Sequence, residues 1–331
     1  MKNNIFVENY VSVLDLLETQ KAIKLIKNNF ESNLARHLGL TRVSAPLFVD
    51  PKTGLNDNLS GTEHAVGFDL IDGQHLEIVQ SLAKWKRFAL RKYDLTGLYT
   101  DMNAIRPNEE TDNLHSLYVD QWDWEKVIME EERNDTYLKE VVRKIYSAFL
   151  ETENYITTLY PALKHDLPKD ITFITSQELL NLYPGLDVKE RENRITKLHK
   201  AVFIIGIGGK LSDGTIHDKR AADYDDWKYN GDILVWDETL QVALEISSMG
   251  IRVNKDSLLE QLKIKNEEFK LEYDYHQKIL NDELPLTIGG GIGQSRLCLY
   301  FLNKAHIGEV QSSYWSKEDI EAFEQYNIHL L

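Results

Sequence analysis

One cysteine, seven prolines and no apolar run of membrane-spanning length occur in the 331 residues. The lone thiol, Cys298, has no internal disulfide partner, and its setting in RLCLYFL (296–302) marks a buried structural group. The longest apolar stretch, AVFIIGIG (201–208), is far too short to cross a bilayer. No repeat, low-complexity tract or Pro/Gly/Ser-rich linker divides the chain, so a single catalytic domain over 1–331 is expected. The first twenty residues carry acidic side chains and no signal-peptide pattern, which points to the cytoplasm.

Positive charge is also scarce. Lys and Arg number 38 against 53 Asp and Glu, a formal net charge of −15 with a pI near 5.2. A protein that wraps tRNA or duplex DNA carries a basic face, and the only basic tract here is KWKRFALRK (84–92). That tract reads as a solvated helix face, so neither nucleic acid nor membrane is expected as a partner.

Glycine, by contrast, is concentrated. TIGGGIGQSR (287–296) places four glycines in five positions, a run that is entropically costly to order. Close backbone approach to a ligand is the usual reason, often a phosphate. The dinucleotide template G-x-G-x-x-G fails at Gln294. The Walker template fails in GIGGKLSDG (206–214), where Leu211 replaces the hydroxyl and Ile204 the first glycine.

Periodicity organises the remainder. Thr19 caps an expected helix running to Leu38, stopped by Gly39. LTRVSAPLF (40–48) is extended. Residues 64–80 read as a hairpin around Asp72-Gly73, followed by a helix at 82–93. Strands are expected at 98–106, 115–124, 171–174, 201–207, 232–237 and 240–247. Helices are expected at 126–160, 176–182, 255–264, 266–280 and 293–304. Consecutive hairpins favour an α+β fold with an antiparallel sheet.

In DILVWDETLQVALEIS (232–247), a turn centred on Glu238-Thr239 sets Asp232 opposite Glu245 on the polar face. Directly opposed carboxylates repel. A divalent cation would turn that repulsion into attraction; alternatively, water screens both charges at a solvent-facing edge. In YVDQWDWE (118–125), alternation groups Val119, Gln121, Asp123 and Glu125 on one face and Tyr118, Asp120, Trp122 and Trp124 on the other. The polar row suits an amino acid's ammonium or merely the wet side of a strand. DYDDW (223–227) reads as a solvated acidic loop. Arg106, before Pro107, suits an anion or pairs with Glu109 or Glu110.

Together, Val43 to Pro46, Arg106, and Gly291 to Arg296 resemble the three signatures of class II aminoacyl-tRNA synthetase catalytic domains. Within that superfamily the chain resembles the ammonia-dependent asparagine synthetases, the aspartate–ammonia ligases. The stretches carrying the resemblance are DNLSG (57–61), SLAKWKR (81–87), LHSLYVDQWDWE (114–125), GIGGKLSDG, DYDDW, NGDILVW (230–236), SSMGIRV (247–253) and TIGGGIGQSR.

The resemblance implies an antiparallel sheet flanked by helices and a homodimer joined through the proline-terminated strand and its helix. It also implies ATP and Mg²⁺ as cofactors, with aspartate and ammonia becoming asparagine through β-aspartyl-AMP. By that analogy Arg106 holds the α-phosphate and Gln121 lies against the acyl group. Ser81, Lys86, Asp123, Asp225 and Gly291 contact aspartate. Asp232 and Glu245 face Mg²⁺–ATP with Ser248 nearby, Arg296 contacts ATP, and Asp57 receives ammonia. The family's Arg-x-Glu becomes Arg106-Pro-Asn-Glu109, leaving Glu109 or Glu110 for the adenine. A tRNA-aminoacylating relative and a catalytically silent paralogue are the competing readings; the acidic charge opposes the first and the retained glycine run the second.

Overall fold

Asp15, rather than Thr19, starts the first helix, because the cap needs extended backbone and an oxygen free for the third amide. In the computed structural model, which describes residues 4–57 and 64–331, Asp15 accepts the Glu18 amide at 2.8 Å. Thr19 lies inside the helix, its hydroxyl accepting from Lys304 Nζ at 2.9 Å. Helix α1 (Leu16–Leu38) buries Ala22, Ile26, Phe30, Leu34 and Leu38 and ends at Gly39, whose φ of +69° is left-handed. It packs on α3 (Asp135–Leu159), where Phe30 meets Phe149 edge-on at 5.1 Å.

Strands β1 (Thr41–Arg42), β5 (Gly97–Ile105), β6 (Tyr118–Val127), β7 (Thr172–Thr175), β8 (Ala201–Ile205), β9 (Asp225–Asp237), β10 (Val242–Arg252) and β11 (Thr287–Gly293) form one sheet. Their order is β1-β5-β6-β11-β10-β9-β8-β7. The six central strands are antiparallel, as the hairpin pattern predicts, whereas the outer pairs β1/β5 and β7/β8 are parallel. The second pair is parallel because α4 (Ser176–Leu182) and α5 (Val188–His199) form a crossover between its strands. A small sheet, β2 (Phe48–Val49), β4 (His75–Ile78) and β3 (Gly67–Asp69), contains the expected hairpin, with Gly73 at φ +85° in its turn.

Alternation along β6 divides the main sheet as expected. Trp122 and Trp124 enter the core beneath α1, α3 and α8 (Gln294–Phe301), with Met249, Ile251, Ile288 and Ile292. Each such side chain, fully buried, contributes roughly 1.5–3 kcal/mol. The opposite face is left to Gln121, Asp123 and Glu125.

The β9–β10 register differs from expectation. Its loop is the four residues Glu238–Gln241, because Asp237 accepts the amides of Thr239 at 2.9 Å and Leu240 at 2.8 Å while Gln241 turns at φ +57°. Leu234 therefore pairs with Glu245, a bulge follows at Ile246, and Asp232 pairs with Ser248. Asp232 and Glu245 are diagonal neighbours on one face rather than opposed.

Helix α2 (Ala83–Tyr93) matches its expected span. The region read as one helix from 126 instead continues β6 to Val127 before Asn134 caps α3. A 3₁₀ turn (Glu268–Glu272) precedes α7 (Asp274–Leu280), while α6 (Lys255–Lys265) is as expected. Helix α5 and the late helix α9 (Lys317–Glu324) were not anticipated. Helix α5 buries Arg191, Glu192, Ile195 and Thr196, so its inner face carries too few apolar residues to show a period. No helix among the described residues is long and apolar enough to cross a membrane.

Candidate active site

The glycine run lies at mid-sheet, between β6 and β10. Across the β6 ladder Gly289 faces Glu125, Gly291 faces Asp123 and Gly293 faces Gln121. A Cβ on Gly289 would stand 1.9 Å from Glu125 Oε2, and one on Gly291 2.4 Å from Gln121 Oε1. Close approach explains these glycines, since the polar row of β6 leans across β11 where Gly289, Gly291 and Gly293 leave that face bare, while Thr287 at the strand's start donates its hydroxyl to Glu125 Oε1 at 2.7 Å.

Above this floor is a cavity of about 420 Å³. Its wall includes Ser81 and Lys86 around the start of α2, Arg106 and Glu109 from the β5–β6 loop, and Asp218 to Arg220 before β9. Glu109 is on the wall; Glu110 is not.

The deep end is an ionic network. Lys86 Nζ lies 3.0 Å from Asp123 Oδ2 and 3.8 Å from Glu125 Oε2, and donates to the Gly290 carbonyl at 2.9 Å. Arg252 grips Glu125 through Nε at 3.0 Å and Nη2 at 2.8 Å, and pairs with Asp225 through Nη1. Burial lowers the proton affinity of Lys86, and Arg252 adds to this, against Asp123 and Glu125. Burial pushes the Glu125 carboxyl up, but Arg252 and Lys86 outweigh it and hold it below its usual range. Burial dominates at Asp225 and raises it despite Arg252.

Two cations thus meet three carboxylates. Asp123 Oδ1 is buried without a hydrogen-bond partner among the described residues and, like Gln121 Oε1, lies over Gly291. Two acceptors with an excess negative charge beneath them suit an ammonium group, and the neighbouring lysine suits a carboxylate.

The outer half is arranged for anions. No hydrogen bond or ion pair to the Arg106 guanidinium occurs among the described residues, and its Nε is buried without a partner. Arg296 donates through Nη1 to the Glu245 carbonyl at 3.0 Å and lies 3.8 Å from that carboxylate. Glu245 and Ser248 line the cavity; Asp232 lies just behind, buried and paired with Arg220. Burial pushes the Asp232 carboxyl up to about 7, with Arg220 opposing and Glu245 adding. At Glu245 burial is outweighed by Arg296, Arg220 and Lys189, which hold it low. Among the described residues no three His, Cys, Asp or Glu side chains cluster as a metal site.

Asp57 is buried, its carbonyl accepting from Gln80 Nε2 at 2.8 Å. It is not on the cavity wall; Tyr224, which is, experiences its charge. The rest of DNLSG, residues 58–61, lies outside the described residues.

Two readings are corrected. The basic tract is not a solvated face: Lys84 pairs with Asp223 at 3.2 Å, Lys86 is the cavity floor, and Arg87 donates to the carbonyls of Val253 at 3.0 Å and Pro285 at 2.8 Å. DYDDW is not solvated either, since Asp223 and Asp225 are buried against partners up to 139 residues away. That sequence separation hid both. Arg252 and Arg220 belong to the site without a local sequence signal that marks them, although Arg252 lies within SSMGIRV.

The aspartate-ammonia ligase family model matches residues 17–327. An aspartate–ammonia ligase of Fusobacterium nucleatum is 60% identical over 97% of this chain and 99% of its own. One of Clostridium perfringens is 56% identical over the full length of both. Among solved structures, asparaginyl-tRNA synthetase of Pyrococcus horikoshii complexed with asparaginyl-adenylate is similar at a TM-score of 0.64. That match has 16% identity and covers 89% of this chain and 68% of the synthetase. The asparaginyl-tRNA synthetase of Entamoeba histolytica, also in complex with asparaginyl-adenylate, matches at 0.63 with 15% identity, over 91% of this chain and 68% of its own. At such identities the likeness concerns the fold, which is that of the class II synthetases.

Proposed function

The chain belongs to the aspartate–ammonia ligase family, and we propose that the cavity over β11 performs the family's reaction in two steps through β-aspartyl-AMP. The enzyme makes asparagine from aspartate and ammonia using ATP. The observation that carries this reading is one cavity joining an ammonium-and-carboxylate floor, Lys86 with Asp123, to the guanidinium of Arg106, which has no ion-pair partner among the described residues.

Aspartate lies over Gly291, its α-ammonium on Asp123 Oδ1 with Asp225 behind, and its α-carboxylate toward Lys86. Ser81 closes the near wall, and Gln121 contacts the reacting acyl group. A side-chain carboxylate oxygen attacks the α-phosphorus as the bond to pyrophosphate breaks. Arg106 counters the charge developing there, which in a dry site is worth more than in water. Arg296 and Glu109 serve the nucleotide, Glu109 at the adenine because it alone of the two candidates is on the wall.

Asp232 and Glu245 fit a magnesium ion, two carboxylates on one face with Asp232 Oδ1 buried and Ser248 beside them. When bound, the ion would neutralise phosphate charge. In the second step the ammonia lone pair attacks the acyl carbon and the bond to AMP breaks. Asp57, whose charge acts on Tyr224 of the cavity wall, binds ammonium and takes its proton. We further propose a cytoplasmic homodimer of single-domain subunits, joined through α1 and the segment ending at Pro46, that uses neither tRNA nor membrane.

The test is pyrophosphate release with aspartate, with and without ammonium and tRNA. Ammonium-dependent asparagine formation indifferent to tRNA is expected. A tRNA-linked aminoacyl product, or no turnover at all, would overturn the reading.

A further inference from the structure

The segment Asp218 to Arg220 forms part of the cavity wall and belongs to no strand or helix. Arg220 has both terminal nitrogens occupied: Nη1 lies 2.5 Å from Asp218, and Nη2 is on Asp232. We propose that Arg220 is a ligand for the β- and γ-phosphates of the nucleotide, held on Asp232 until they arrive. This rests on the reading above, in which Asp232 and Glu245 face the nucleotide's magnesium.

Three observations carry it. The first is competition. Asp232 serves Arg220 with one oxygen while the other is buried on the side of Ser248, and Glu245 is its diagonal neighbour. A divalent cation seated on these carboxylates repels the guanidinium. The second is the weakness of the other hold, because the Asp218 side chain is 55% exposed and solvent screens it. Once Asp232 is taken, the phosphates in the cavity are the anions left for Arg220, whose fork matches them in bidentate fashion.

The third is anchorage. His217, the residue preceding this segment, is buried with Nε2 3.1 Å from Glu192 Oε1 on α5, and Glu192 is also paired with Lys189 at 3.1 Å. The backbone is fastened while the guanidinium re-aims. An arginine serving only to neutralise Asp232 would leave phosphate affinity untouched.

Calorimetric titration of the full chain with inorganic pyrophosphate, with and without Mg²⁺, and separately with AMP, tests this. Arg220→Gln is expected to weaken magnesium pyrophosphate binding by about tenfold or more and AMP binding by less than about twofold. Asp232→Asn frees the arginine, so metal-free pyrophosphate binds about fivefold more tightly than in the wild type, and the gain disappears in the double variant with Arg220→Gln. Arg220→Lys keeps the charge but not the fork, and is expected to lose about threefold; it replaces the Gln variant should that fail to fold. If the gain persists in the double variant, or Arg220→Gln binds pyrophosphate normally in a chain that makes asparagine, the inference fails and the ligase reading stands. If the wild type binds neither pyrophosphate nor AMP, both fail.

Discussion

A Cβ atom on Gly291 would stand 2.8 Å from Asp123 Oδ1, a buried carboxylate oxygen without a hydrogen-bond partner among the described residues. The missing side chain is thus what opens the space over that oxygen, where the proposed reaction places the substrate's ammonium. Gly291→Ala is expected to lower kcat/KM for aspartate about 100-fold through misplacement of the substrate, with the circular dichroism spectrum unchanged. A wild-type KM for aspartate in that variant would show that nothing binds over this residue.

In the proposed reaction Asp232 and Glu245 share a magnesium-dependent task. Asp232→Asn and Glu245→Gln are each expected to fold and to lose adenylation by about 100-fold or more, read as pyrophosphate exchange against Mg²⁺ concentration. Normal turnover with an unchanged magnesium profile would reduce the pair to a screened edge.

Arg106 is expected to tolerate no conservative change. Its guanidinium has no ion-pair partner among the described residues, and a lysine supplies charge without the bidentate fork. Arg106→Lys should lose about 10- to 100-fold in adenylation, with Arg296→Lys affected in the same direction. Near-wild-type rates in Arg106→Lys would remove the bidentate contact from the mechanism.

Nitrogen should enter as free ammonia. Burial pushes the Cys298 thiol up to about 12, so it is not a glutaminase nucleophile at neutral pH, and Cys298→Ala should be silent. Because only unprotonated ammonia attacks, activity at limiting ammonium should rise with pH. Asp57→Asn should raise the KM for ammonium. Glutamine-supported synthesis lost with Cys298 is the result that would reverse this claim, and an unimpaired Asp57→Asn enzyme would release Asp57 alone.

Stability should carry a separate pH signature at Asp237. Burial pushes this carboxyl up to about 6 from an ordinary 3.8, against the two amides that it accepts. The folded state therefore holds the proton more tightly than the unfolded chain. Its stabilising effect is complete below 3.8, declines as pH rises, and is gone above 6. Asp237→Asn, free of that cost, should be more stable than the wild type at pH 7.5 by up to about 3 kcal/mol and melt higher, with the advantage gone at pH 4. Equal melting temperatures at both pH values would show that Asp237 is not desolvated.

The sequence by itself determined the helix that ends at Gly39, the hairpin at Gly73, the two faces of β6 and the inert thiol. Each depends on a local period, a turn residue or a composition, and such signals act within a few residues of one another. It also identified the family, because the motif residues stand at recognisable positions along the chain. Tertiary structure alone decided which charges are buried and with whom. Asp223 reaches Lys84 across 139 residues and Arg252 reaches Glu125 across 127, so neither partnership has a local trace. It likewise decided the β9–β10 register: Asp237 captures two amides and makes the loop four residues, and the bulge at Ile246 then sets Asp232 opposite Ser248. Hydrophobic alternation tolerates either register, whereas the hydrogen bonds of one buried carboxylate select between them.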